Sequence, residues 1–284
     1  MKKTFLLALA LTLAFTGAAQ AASFVLSGNF LNVGVSNSGG LIDDAFTAGI
    51  NFDPNGGGAY TAADFLRPGT PFEFYSIGAG GAWATAGYSS GNTFAATSSN
   101  TTVLPTLSAA TTSGAFTVDG ASLIFTQNIF FDVNAKAINF SFDILNAGTT
   151  PAVDVVFARG LDPDQDVNVG GPFYTINTLG AGFVSAFGPV SGYTITIKDL
   201  GGGGVPGISA AWSQDPYLLL TGPNDGNGDN TINMAWRIGT LDPGRSYEID
   251  FQYVVSAVPV PASLVLLGSG ILGLMGIGLR RKSS

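Results

Sequence analysis

The chain has 284 residues, with 19 Asp and Glu against 11 Lys and Arg, and it contains neither cysteine nor histidine. Their absence excludes disulfides, a thiol nucleophile, Cys- or His-ligated metal centres and a Ser-His-Asp triad. The acidic balance argues against a nucleic-acid partner, because phosphates would be repelled, and makes cations the natural counter-charge.

Taken from its start, the chain opens with Lys2 and Lys3, an apolar run from Phe5 to Phe15, and Ala19-Gln20-Ala21. This order predicts a secretory signal peptide, 1–21, cleaved after Ala21; the apolar run is too short to span a bilayer. The following body, 22–257, keeps only six of the basic residues but all 19 acidic ones, a net charge of −13. Seventeen of the acids are Asp, which suits turns and strand ends better than helices.

Gly is abundant in the body, and Val, Ile, Phe, Tyr and Thr recur in short runs, the composition of an all-β domain. Apolar and polar residues alternate in Ala137 to Leu145, in Tyr193 to Lys198 and in Tyr247 to Val255. A period of two places one face in a core and the other in water. Turn clusters punctuate these runs at Asn37 to Gly40, Asp53 to Gly58, Asn146 to Gly148, Gly201 to Gly204 and Asp242 to Gly244, leaving no room for helices between them. The expected architecture is one large antiparallel β-sandwich. The Ser/Thr-rich stretch from Thr97 to Ser113 reads as a polar strand pair or a loose loop.

Asn139-Phe140-Ser141 through Asn146-Ala147-Gly148, followed by Val155 through Asp166, is similar to strand-turn-strand stretches of galactose-mutarotase-like supersandwich domains. That resemblance implies a supersandwich of a kind that binds or processes carbohydrate. Without histidine the chain cannot supply a mutarotase-type acid-base pair.

Two acidic groups are candidate calcium sites. Asp162, Asp164 and Asp166 alternate beside Arg159; if extended, their carboxylates share a face and need either a cation or the arginine to offset them, unless they are solvated at an exposed turn. Asp225, Asn227 and Asp229 match the first, third and fifth ligands of a D-x-N-x-D calcium loop. Asn230 there takes the place of the turn glycine, and Trp236 the place of the closing acid, so a plain hairpin loop is the competing reading. Glu73 and Glu248, the only glutamates, lie among aromatics at strand spacing and read as outward-facing strand acids. Trp83, Trp212 and Trp236 would either stack on sugars or fill the core.

The segment 258–284 begins Val258-Pro259-Val260-Pro261-Ala262, continues as an uncharged apolar run through Leu279, and ends with Arg280, Arg281 and Lys282 before two serines. Its 18 apolar residues, 262–279, would make a helix of roughly 27 Å, close to the hydrocarbon thickness, with the basic end in the cytoplasm. The order of Pro motif, apolar helix and basic cluster resembles the PEP-CTERM sorting signal in its V-P-x-P-A form. The resemblance implies Val258, Pro259, Pro261, Ala262, Arg280, Arg281 and Lys282 as the sorting motif, with an exosortase-type membrane protease-transpeptidase and, transiently, the inner membrane as partners. It further implies a membrane-anchored precursor that ends at the cell surface or outside the cell. The resulting expectation is a non-catalytic surface or matrix component associated with exopolysaccharide and biofilm. The alternative is a carbohydrate-binding or carbohydrate-active supersandwich delivered by the same route. Trp or Tyr residues lining a groove with converging carboxylates would favour the alternative, and a smooth acidic surface the matrix role.

Overall fold

Each of the three alternating runs forms a strand, and the regular structure of the remaining body is nearly all antiparallel strand. The structure, a computed structural model, describes residues 23–60, 63–88, 96–118 and 121–257. Among them no helix is long and apolar enough to cross a membrane. The expected signal peptide 1–21 and the sorting segment 258–284, with its apolar stretch 262–279, lie outside the described residues.

In chain order the strands are β1 (Phe24–Ser27), β2 (Leu31–Val35), β3 (Ile50–Phe52), β4 (Ala63–Asp64), β5 (Glu73–Ala79), β6 (Ala82–Tyr88), β7 (Ala96–Leu104), β8 (Leu107–Val118) and β9 (Ala121–Asp132). They continue as β10 (Ala137–Asn146), β11 (Ala152–Leu161), β12 (Ile176–Gly180), β13 (Phe183–Phe187), β14 (Tyr193–Asp199), β15 (Gly204–Ser209), β16 (Thr231–Leu241) and β17 (Ser246–Ala257). A single helical turn, α1 (Pro216–Leu219), precedes β16; Pro216 opens it and the Asp215 carboxylate caps it by accepting from the Tyr217 and Leu218 N–H groups.

Three sheets result. Eight strands run in the order β12-β13-β14-β17-β10-β9-β8-β7, five in the order β15-β16-β11-β5-β6, and four in the order β1-β2-β3-β4. The Ser/Thr-rich stretch is a strand pair, with β7 antiparallel to β8. One contiguous core joins all three sheets, drawing Leu31 and Val33 from the small sheet, Phe125 and Phe142 from the large one, and Ile77 and Phe157 from the five-stranded one.

The alternation sets the register. Along β10 and β17, Ile138 lies opposite Tyr253, Phe140 opposite Phe251 and Phe142 opposite Ile249, and all six are buried. Phe140 and Phe251 stack with ring centroids 4.6 Å apart, while Phe142 reaches across to Phe157 at 4.3 Å. These rings lock the two larger sheets face to face. Asn139, Ser141 and Asp143 turn to the opposite, wetter side. The five-stranded sheet has a covering on its other face as well: Phe72, Phe74, Ala158, Leu219 and Ala235 form a second apolar layer, with Trp212 packed on it. Consequently β5 is buried at every position.

Candidate acidic site

The site begins where β11 runs out. Beyond Leu161 the chain stays extended against 65–72, with Asp162 N donating to Phe72 O at 2.9 Å and Asp164 N to Phe65 O at 2.9 Å. Pro163 favours this extended form, since it disfavours a helical residue before it. Asp162 and Asp164 therefore project to one side, as their spacing predicts.

That side meets the 225–230 loop. One carboxylate oxygen from each of Asp162, Asp164 and Asp229 lies within 4.8 Å of the others. The three acidic residues could hold a metal ion. Asp162 and Asp164 are each 2% exposed, whereas Asp229 is exposed, so the cluster is sealed below and open on the Asp229 side. Among the described residues no group hydrogen-bonds either oxygen of Asp162 or Oδ1 of Asp164. Burial, then the charges of Asp164 and Asp229, push the Asp162 carboxyl up to about 8. Burial, then Asp229, push Asp164 up to about 8, and burial raises Asp229.

Each sequence-derived triplet is divided by the structure. Asp166 is buried and its carboxylate accepts from Val190 N at 2.9 Å and Ser191 N at 2.7 Å, fastening the 188–191 turn. Asp225 accepts from Ala210 N at 2.7 Å, and Asn227 Oδ1 from Asn177 N at 2.9 Å. These two residues hold the loop that presents Asp229. Gly228 adds a two-way backbone bridge to Thr175.

Arg159 does not offset the Asp162 and Asp164 charges. Three residues of extended chain turn it to the other face, where it is fully buried and pairs with Glu73, Nη2 to Oε1, at 2.6 Å. Its Nε donates to Tyr253 Oη at 3.1 Å, it also contacts the Gln127 amide oxygen, and the Phe140 ring lies 4.4 Å from its guanidinium carbon. The expected outward orientation of Glu73 is thus corrected: it lies in the core, with Oε2 accepting from Leu41 N at 2.8 Å. Burial raises its pKa, while Arg159 and the Leu41 N–H act to lower it. Glu248 does face outward, accepting from Ser141 Oγ at 2.7 Å. The two glutamates therefore share no cleft.

Aromatic residues flank the acidic cluster. Trp212, at φ 52°, donates from Nε1 to Asp229 O at 3.2 Å and packs on Phe72 with centroids 5.3 Å apart. Phe173, which shares the neighbourhood of Gly69 with Asp164, is 43% exposed. A Cβ added to Gly69 would meet Phe173 Cε1 at 2.5 Å and Asp164 Oδ2 at 2.7 Å, so only glycine, here at φ +72°, lets the backbone approach so closely. Of the other tryptophans, Trp236 is core and Trp83 is exposed elsewhere on β6. Sequence reasoning missed Phe173; its only signal is an aromatic pair, Phe173-Tyr174, within a Gly- and Pro-containing loop.

No protein-family model matches the chain, and no curated protein does. Solved structures of similar shape include an α-mannosidase from Enterococcus faecalis (TM-score 0.46, 12% identity, 87% of this chain and 31% of that one). A galactose mutarotase related enzyme from Lactobacillus acidophilus aligns at TM-score 0.42 and 13% identity, over 83% of this chain and 97% of that one. A galactose mutarotase-like protein from Clostridium acetobutylicum aligns at 0.43 and 7%, over 83% and 95%. The chain spans about a third of the mannosidase's length.

The expectation of a non-catalytic exopolysaccharide component is corrected at this point. The body itself is no smooth acidic surface, for converging carboxyls and an indole meet at the end of β11.

Proposed function

We propose that the chain is a carbohydrate-binding β-sandwich whose ligand lies across Trp212, Phe173 and Asp229, above Asp162 and Asp164. The carrying observation is the convergence of carboxyls with two partly exposed rings on one end of the sandwich. Sites for small polar ligands combine apolar and aromatic walls with a few placed polar groups. Here the rings offer faces to the C–H side of a sugar, and the carboxyls offer hydrogen-bonding groups to its hydroxyls.

Burial raises all three carboxyls, so the site can offer hydrogen-bond donors as well as acceptors to sugar hydroxyls.

The test is a glycan panel screened against the full chain, followed by calorimetry on the best binder. Trp212→Ala is expected to weaken binding about tenfold, a loss of about 1.4 kcal/mol. Failure of every glycan to bind, or full affinity in both Trp212→Ala and Asp229→Asn, would overturn the reading. Release of new reducing ends from a bound glycan would replace binding by catalysis.

A further inference from the structure

We infer that Asp162, Asp164 and Asp229 together hold a hard divalent cation, calcium by chemistry, which ties the 225–230 loop to the end of β11. The inference deepens the proposed binding site by giving its floor a bound ion, and it rests on separate observations. Two of the acids are 98% buried, and three of their four oxygens receive no hydrogen bond from the described residues. Solvent-exposed acids can be satisfied by water; a buried carboxylate without a donor cannot, and native folds rarely leave one so.

Among the described residues no lysine or arginine forms an ion pair with the cluster. Among the described residues the ion pairs are Arg67 with Asp64, Arg159 with Glu73, and Arg237 with Asp154. Lys136 lies over the Phe30 ring at 4.5 Å. None of these reaches the cluster. A further polar group on the same sheet face is unsatisfied: Asn233, which lies opposite Gly160, is fully buried and neither atom of its amide has a partner among the described residues. Gly160 is two residues before Asp162, so the two positions share the outer face of the sheet.

The donor set selects the ion. All three groups offer only oxygen, and the chain has no histidine or cysteine to attract zinc or copper. Calcium accepts several carboxylates in irregular geometry and retains room for further oxygens, whereas magnesium requires a near-ideal octahedron. The open side, past Asp229, leaves coordination positions to water or to hydroxyls of a ligand seated on Trp212 and Phe173.

Terbium luminescence on the full chain tests this without sugar. Terbium substitutes for calcium, and the Trp212 indole, hydrogen-bonded to Asp229, is placed to sensitise its emission. The expected result is saturable emission that calcium displaces and magnesium displaces poorly, together with a melting temperature that rises on addition of calcium. Asp162→Asn combined with Asp164→Asn should abolish the emission; neutral amides relieve the repulsion between the two sites, and circular dichroism checks that the fold persists. Asp229→Asn, at an exposed position, should weaken terbium binding about tenfold or more. Trp212→Phe should dim the emission severalfold while calorimetric calcium affinity stays. An unmoved melting curve, or terbium bound undiminished by the double variant, overturns the cation site. Glycan binding without any terbium or calcium binding would leave the carbohydrate reading standing while the cation falls, and calcium binding without any glycan would do the reverse.

Discussion

At the scale of single residues, the Arg159–Glu73 ion pair lies with both partners fully buried between the sheets. Desolvating two charges offsets much of their attraction, so the pair stabilises little relative to apolar residues, but losing one partner strands the other. Arg159→Met should therefore destabilise the chain by about 3–5 kcal/mol, and Arg159→Met with Glu73→Leu should recover most of that loss. Urea unfolding of the three proteins measures both effects; a double variant no better than the single one would show that shape, not charge, governs the site. The sequence could not reveal this pairing. Phe72-Glu73-Phe74 looks like two inward rings around an outward acid, and that inference holds only when one sheet face is wet. Here Phe72 and Phe74 fill the second apolar layer, so the opposite face, with Glu73, is the main core.

At the scale of elements, the 162–166 segment and the 225–230 loop were each legible as acidic motifs, but their union was not. What brings them together is backbone as well as the Asp225 and Asn227 side chains: Gly228 bridges Thr175, and Asn224 pairs with Ile208. Main-chain bridges carry no side-chain pattern, so spacing alone could not show that Asp229 joins Asp162 and Asp164 while Asp166 leaves them. The union has a pH signature. Asp162 and Asp164 have folded-state values near 8, raised by burial above the ordinary 3.8, so between these limits the folded chain binds more protons than the unfolded one. Stability contributed by the two neutral carboxyls is then full below about pH 4 and is lost as pH rises through about 8. In a chelating buffer, the stability of wild type relative to Asp162→Asn/Asp164→Asn should fall between about pH 5 and about pH 8. Chemical denaturation across that range checks the sign, and a difference that is flat or grows with pH would refute it.

At the scale of the whole molecule, the all-β class and the sandwich were readable from period-two runs, whose inward residues Ile138, Phe140, Phe142, Ile195, Ile197 and Phe251 are all core. Strand order was not readable, because it depends on pairings between distant parts of the chain. β17 illustrates the point: it lies between β14 and β10, in the interior of the eight-stranded sheet. Removing Ser246–Ala257 should separate β12-β13-β14 from β10-β9-β8-β7 and abolish cooperative unfolding, with rapid digestion in limited proteolysis as the readout. Survival of a protease-resistant sheet would show that the remaining strands close without it. The same placement governs timing. A chain delivered amino end first carries two unsealed sheet borders until its final described strand arrives, and such borders recruit other chains. Completion of the fold is therefore set by the end of the body's emergence and not by its beginning, and the hazard of self-association is concentrated in that interval.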